Sequence, residues 1–328
     1  MVTSNRPIWQ AIRRGIIGAH MELRQLRAFV AVATTRHFGN AAKRLHLTQP
    51  ALTQRIQALE HELGVQLLER SSREVSLTPA GKVLLRHAQE LVQEEDAALR
   101  DLKDYSSGVM GRVRFAYQAA GDVSLAGSII AAYRRRFPRV ELETSAASSG
   151  TNLQRLIEHA TDASLALMPL ARPEGIDARR IRLEEIILVM RPEHELARLD
   201  RIPVASLRGE PLAMPPSAVN PDLVAALAQW LVRRTGSDLN VVSEDPTDLA
   251  LETVVRRGLA PALVVRSYYL SQPDSGLVYR SLHPAPLAEL VVAYRRDDLS
   301  PALANLLAVV DEVAPFDPGR VPEDAELI

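Results

Sequence analysis

The stretch from Asn40 to Gly81 constrains this chain more than any other. Thr48 precedes Gln49 and Pro50, a combination that marks a helix start. A threonine hydroxyl can cap free N–H groups there, and proline in the first turn forfeits no hydrogen bond. Leu52, Ile56, Leu59 and Leu63 then recur at spacings of four, three and four, one apolar stripe on one helix. Gly64 follows, where a left-handed stop is expected. Upstream, Ala41 and Ala42 are small enough for another helix to cross closely, and Leu45-His46-Leu47 marks the turn between the two. The pattern predicts a helix-turn-helix from about Phe38 to Gln57. With the stripe buried, Gln49, Pro50, Ala51, Thr53, Gln54 and Gln57 face solvent. Glutamine can bond bidentately to adenine in the major groove, and small or methyl-bearing side chains can touch thymine methyls. Arg55 can reach a base edge or a phosphate.

The residues from Val65 to Leu77 carry short apolar runs around a turn, as a β-hairpin does. Arg70 and Arg73 fall near its tip, suited to phosphate contact. Thr78-Pro79 opens a further helix. A helix pair followed by such a hairpin reads as a winged helix-turn-helix, which sets one helix in the major groove of double-stranded DNA.

Leu23-Arg24-Gln25-Leu26-Arg27-Ala28-Phe29-Val30-Ala31-Val32-Ala33, His37-Phe38, Ala41-Ala42 and Leu47-Thr48-Gln49-Pro50-Ala51-Leu52-Thr53 together resemble the amino-terminal domain of LysR-type transcriptional regulators. So do Leu59-Glu60, Leu63-Gly64, Leu68-Glu69-Arg70 and Leu77-Thr78-Pro79-Ala80-Gly81. The match is nearly continuous and spans about sixty residues. Gly39 departs from it, standing where the family usually caps the second helix with Ser or Thr; glycine is a weaker cap.

From Thr78 to about Ser106 the chain reads as one long helix. Leu84, Ala88, Leu91, Glu95, Ala98, Leu102 and Tyr105 form a heptad seam interrupted by Glu95. The same stripe suits a helix lying on its own domain; the resemblance implies a dimerising linker. Ser106-Ser107-Gly108, with Gly111, reads as a hinge.

Beyond Gly111 strands and helices alternate: Val113–Tyr117, a helix ending at Phe137-Pro138, Val140–Glu143, a helix near Leu153 and Leu156, and Leu165–Met168. That order implies parallel strands with crossover helices. It resembles the family's two-lobed, periplasmic-binding-protein-like α/β effector domain. The expected organisation is an extension over residues 1–20, a DNA-binding domain over 21–78, a linker helix over 79–108 and an effector domain over 112–314. In the last, lobe I is 112–184 plus 287–314 and lobe II is 185–286, with crossing strands near Ile186–Met190 and Leu287–Tyr294. Residues 315–328 are expected to be a flexible tail. The first twenty residues lack a signal peptide's long apolar core, and the resemblance begins at Met21; an upstream start codon or a disordered extension accounts for them.

Ligands of open α/β sheets bind beyond the carboxyl ends of strands, here between the lobes. Gln118, Ala119 and Ala120 map there, with Ser148, Ser149, Gly150 and Thr151 at a helix start whose free N–H groups could attract an anion. Pro215, Ser217 and Thr247 complete the candidate effector site. Many family members carry a hydroxyl where this chain has Ala119-Ala120, so the usual carboxylate effector is not carried over.

Residues 1–80 hold eleven Lys/Arg and five Asp/Glu, and the remainder 28 and 35, a basic head on an acidic body. No cysteine is present, so disulfides, thiol catalysis and cysteine zinc sites are excluded, and a reducing cytoplasm fits. No apolar run is long enough for a membrane span. The eight histidines are scattered, without metal-binding spacing, and no Gly-x-Ser-x-Gly elbow or glycine-rich phosphate loop occurs. His46 reads as a turn residue. The expectation is therefore no enzyme, no cofactor and no metal. The resemblance implies a dimeric or tetrameric regulator reading a pseudo-palindromic promoter site, with a small-molecule effector and RNA polymerase as further partners. The competing reading is a constitutive repressor or architectural factor with a vestigial cleft.

Overall fold

The computed structural model describes residues 20–70, 75–118, 123–169, 174–243, 248–271, 276–316 and 322–328. The chain divides into two compact units, Met1–Lys103 and Asp104–Ile328.

The first unit holds α1 (Leu23–Thr35), α2 (Phe38–Arg44), α3 (Gln49–Leu63), β1 (Leu68–Arg70), β2 (Val75–Leu77) and most of α4 (Pro79–Ser106). Its core is built by the stripe read from the sequence: Leu52, Ile56 and Leu59 are fully buried together with Phe29, Val32 and Ala41. Each helix end has an identifiable cause. Glu22 and Gln25 form a capping box on α1. Thr48 caps α3, and Gly64 ends it at φ +66°. The cap of α2 corrects the expectation for Gly39. Its N-cap is His37, whose Nδ1 accepts from Asn40 N–H at 3.2 Å, and Gly39 lies inside the helix.

Helix α4 also differs from the expected continuous seam. Ala88 is fully buried, and Leu84, Leu85 and Val92 pack with it against the core of the first unit. Glu95, the interruption in the heptad, accepts from Arg27 of α1 at 2.8 Å, and Asp96 pairs with the same guanidinium. A stripe of α4 remains uncovered: beyond that clamp Leu99, Leu102 and Tyr105 are all more than half exposed, and before it Leu91 is nearly so. The first half of α4 therefore lies on its own domain.

In the second unit eleven strands form one extended sheet of order β4-β3-β5-β12-β6-β10-β8-β9, with β7, β11 and β13 beside it. Strands β3 (Met110–Gln118), β4 (Arg139–Ala147) and β5 (Ala163–Met168) are parallel and connected through α5 (Val123–Arg136) and α6 (Ser149–Ile157). The return strand β12 (Pro286–Arg295) is antiparallel to β5, and α10 (Pro301–Val313) packs beneath. The long strand β6 (Ile176–Met190) serves both lobes: Ile176–Glu185 pairs with β12, and Ile186–Met190 pairs with β10 (Ala262–Val265) and β11 (Val278–His283). Strand β12 lies wholly in the first lobe, so the second crossing is not the strand expected near Leu287–Tyr294. It is the short segment between β11 and β12. The second lobe adds β7 (Arg201–Pro203), β8 (Pro211–Ala213), α7 (Pro221–Thr235), β9 (Asn240–Ser243), α8 (Asp248–Arg256) and α9 (Arg266–Ser271).

Two segments expected to be loose are held. Gly108, at φ +71°, presses so closely on α10 that a Cβ would sit 2.4 Å from the Pro301 carbonyl carbon. Asn305 Nδ2 donates to the carbonyls of Ser107 and Gly108, at 3.0 and 3.1 Å. This is an anchored turn, not a hinge. The tail is likewise not flexible where it is described: β13 (Glu326–Leu327) pairs in parallel with β12 at Pro286 and Leu287. Trp230 Nε1 of α7 donates to Glu326 at 2.8 Å, Arg234 pairs with the same carboxylate, and Arg201 and His283 hold Asp324. Charged residues that look solvated in the sequence find partners from both the sheet and α7.

Candidate DNA interface and ligand cleft

The turn between α2 and α3 is tight because His46 adopts a left-handed conformation, φ +53°, and Leu47 N–H reaches back to Ala42 O at 2.9 Å. That geometry sets α3 across α2 with its polar side outward. Gln49, Pro50, Gln54 and Gln57 are exposed, and Ala51, Thr53 and Arg55 are partly exposed. Among the described residues the amides of Gln49, Gln54 and Gln57 make no hydrogen bond to the rest of the chain. The helix thus has one face fixed by Leu52, Ile56 and Leu59 and an opposite face whose donors and acceptors are uncommitted.

The hairpin is locked to this helix by Glu60. Its Oε1 accepts from Leu67 N–H at 2.8 Å and Leu68 N–H at 3.1 Å. Strands β1 and β2 pair antiparallel, Leu68 opposite Leu77 and Arg70 opposite Val75. Thr78 closes the base, donating to Gln66 O at 2.8 Å and accepting from Gly81 N–H at 2.9 Å. Gly81 is obligatory: a Cβ there would lie 2.1 Å from Leu67 O. Of the two wing cations, Arg70 occupies the end of β1, its side chain outside the described residues, and Arg73 lies outside them altogether.

In the second unit the lobes meet over a cavity of about 150 Å³. Of the sequence candidates, Gln118, Ser148, Ser149 and Pro215 reach its wall. Gly150, Thr151 and Ser217 do not line it, and the last two are exposed. Ala119, Ala120 and Thr247 lie outside the described residues. Most of the wall escaped the sequence reading: Leu167 and Ile186 from the first lobe and the crossing strand, Leu223, Val224 and Leu227 from α7, and Leu251, Leu263 and Tyr268 opposite. These residues carry an ordinary core pattern, and nothing in their spacing distinguishes a cavity wall from filled core.

At the start of α6 two of the N–H groups expected to be free are engaged. Gly150 N–H donates to Val219 O of the second lobe at 3.2 Å, and Thr151 N–H to the cap Ser148 Oγ at 3.2 Å. Asn152 N–H is taken by Ser148 O at 2.9 Å. A second link joins the lobes beside it, Asn220 Nδ2 to Leu167 O at 2.9 Å.

A head with an uncommitted helix face and a two-lobed body around a cleft match known proteins over almost the full length. The model of "Bacterial regulatory helix-turn-helix protein, lysR family" matches residues 23–82, and that of "LysR substrate binding domain" matches 106–315. The chain belongs to the LysR family. This LysR-family chain is 32% identical over 294 residues to the HTH-type transcriptional regulator IlvR of Caulobacter vibrioides, covering 89% of this chain and 98% of the relative. Identity to the regulator AlsR of Bacillus subtilis is 29%, covering 88% and 95%. The crystal structure of full-length CbnR in complex with its target DNA superposes with a TM-score of 0.64 at 25% identity, covering 90% of this chain and all of that one. The protein is a DNA-binding transcriptional regulator with an effector-binding domain, and its relatives are regulators, not enzymes. Among its described residues no helix is long and apolar enough to cross a membrane.

Proposed function

We propose that this regulator reads a pseudo-palindromic promoter site through two copies of α3. Gln49, Thr53, Gln54 and Gln57 face base edges, with Pro50 and Ala51 against them. Arg55, Arg70 and Arg73 contact phosphates. The exposed face of α3, opposite a fully buried one, is the observation that carries this reading. Pairing through the uncovered stripe of α4 spaces the two heads about one DNA turn apart, and a pair of dimers forms a tetramer. The regulator acts in the cytoplasm. A small molecule in the cleft shifts the population of lobe arrangements and so the promoter geometry presented to RNA polymerase. A concave, mainly apolar cleft between the lobes with few polar groups favours this over a constitutive repressor, because that is the usual form of a small-molecule site.

Binding isotherms on operator and random DNA at several salt concentrations test the head. Gln49→Ala and Thr53→Ala should each lose about 1–3 kcal/mol on the operator alone. Arg70→Ala and Arg73→Ala should weaken binding to every sequence and reduce the salt slope by about one each. Equal losses on both DNAs for the first pair would show that α3 does not read bases.

A further inference from the structure

We infer that the cleft takes an uncharged, compact molecule: an apolar body of roughly benzene size carrying one hydroxyl, carbonyl or amide group. The inference rests on the effector-responsive reading above and names its ligand class.

Size follows from the cavity. Its volume is about 150 Å³, and an apolar cavity of that order holds a benzene-sized body. The wall is mainly aliphatic, with Leu223, Leu227, Leu251 and Leu263 facing Tyr268. Charge follows from what the wall lacks and from what is already engaged. Among the described residues no Lys, Arg or His lines the cavity. The N-terminal turn of α6, the obvious anion seat, has committed two of its donors, Gly150 N–H to Val219 O and Thr151 N–H to Ser148 Oγ, which leaves it short of the several convergent N–H groups that hold an anion. The nearest charges along the wall's own strands are Glu185, beside Ile186, and Arg266, beside Val265. They pair with each other at 3.1 Å, so no positive charge is left over, and Glu185 is buried with its Oε1 unpartnered among the described residues. A carboxylate entering here would lose its water without gaining a cation, the costly case for a buried charge.

Ser267 and Tyr268 bring hydroxyls to the second-lobe wall, and the first-lobe wall has one buried polar group. Ser149 is buried, and its Oγ accepts from Gln118 Nε2 at 2.6 Å and from Leu167 N–H at 3.2 Å. Both lone pairs are used, so the hydroxyl proton is free to be donated. Gln118 lines the cavity beside it, and among the described residues no hydrogen bond occupies its Oε1, which is available as an acceptor. At that wall one donor and one acceptor suit one alcohol, carbonyl or amide group.

Thermal unfolding and titration calorimetry of the full-length protein at neutral pH test this with benzyl alcohol, benzamide, benzoate, succinate and glucose as probes. Benzyl alcohol and benzamide should raise the unfolding temperature in a concentration-dependent way. Benzoate should bind at least tenfold more weakly than benzyl alcohol, and succinate and glucose should give no shift. Val224→Phe, which puts a larger ring into the cavity from a partly buried position, should abolish the benzyl alcohol response while keeping the unliganded fold by circular dichroism. Ser149→Ala should weaken benzyl alcohol about tenfold. Tighter binding of benzoate or succinate would overturn the ligand class and leave the effector cleft standing. No response to any probe would overturn both. An unchanged benzyl alcohol response in Val224→Phe would place the binding elsewhere and equally overturn the inference.

Discussion

Removal of the Glu60 carboxylate is the sharpest test of how the head is held together. Glu60 Oε1 receives two backbone N–H groups, from Leu67 at 2.8 Å and Leu68 at 3.1 Å, on residues only 1% and 3% exposed. In Glu60→Ala both amides lose their acceptor in a place where water replaces it poorly. An unsatisfied buried donor costs about 1–3 kcal/mol, so the pair should cost roughly 2–6 kcal/mol. In Glu60→Gln a neutral oxygen stays within reach of the same amides. Only the charge assistance is lost, which roughly halves the strength of each bond, and the expected cost falls to about 1 kcal/mol. Hydrogen exchange followed by mass spectrometry on a peptide covering residues 65–69 reads this locally. Exchange there should accelerate by more than tenfold in the alanine variant and by only a few-fold in the glutamine variant. Because Leu52, Ile56 and Leu59 still anchor α3, DNA affinity should fall on all sequences alike as the wing loosens, while base preference is kept. Unchanged protection of Leu67 and Leu68 in Glu60→Ala, or a loss equal to that of Glu60→Gln, would refute the clamp.

Two further outcomes concern the other surfaces. Leu99→Glu with Leu102→Glu places charges on side chains already 57% and 66% exposed, so the protomer should keep its helicity while self-association weakens by on the order of 3 kcal/mol across a two-fold pair. Sedimentation of the double variant shows this, and an unaltered dimer fraction would remove α4 from the interface. The tail should be acid-labile. Hydrogen bonding from Trp230, and then from Arg234 against the opposing effect of burial, holds the Glu326 carboxyl below the usual carboxylate range. A lowered folded value means stability that is full above the ordinary value and is lost as pH falls through the folded one. Trp230 fluorescence in a Trp9→Phe background should therefore change reversibly below about pH 4.5, before global unfolding, and Glu326→Gln should remove that step. Absence of the step in the parent protein would detach the tail from α7.

The head was legible in the sequence because its determinants are local. A Thr-Gln-Pro start, an apolar stripe and a glycine stop lie within seventeen residues, and each acts through backbone hydrogen bonds to near neighbours. Buried Gln25 and partly exposed Glu60 and Thr78 belong to the same recognisable pattern, although their roles as box, clamp and hairpin base emerge only when the partners are seen. His37 shows the limit even there: the capping atom is a ring nitrogen, on a residue that composition rules do not rank among caps.

What the sequence by itself determined was the periodic part of this protein: the helices and hairpin of the head, which face of α3 is buried, and that an α/β body follows a basic head. Tertiary structure decided everything that depends on groups far apart in the chain. It settled that Arg27 would reach across 68 positions to Glu95 and divide α4 into a buried and an open half. It also decided that Val219 would take the N–H of Gly150, and that Glu326 would be caught by Trp230. The cavity is the clearest case. Leu223, Leu227 and Leu263 obey the same pattern as a filled core, because hydrophobic patterning selects which residues leave water and does not fix how completely the opposing surfaces meet.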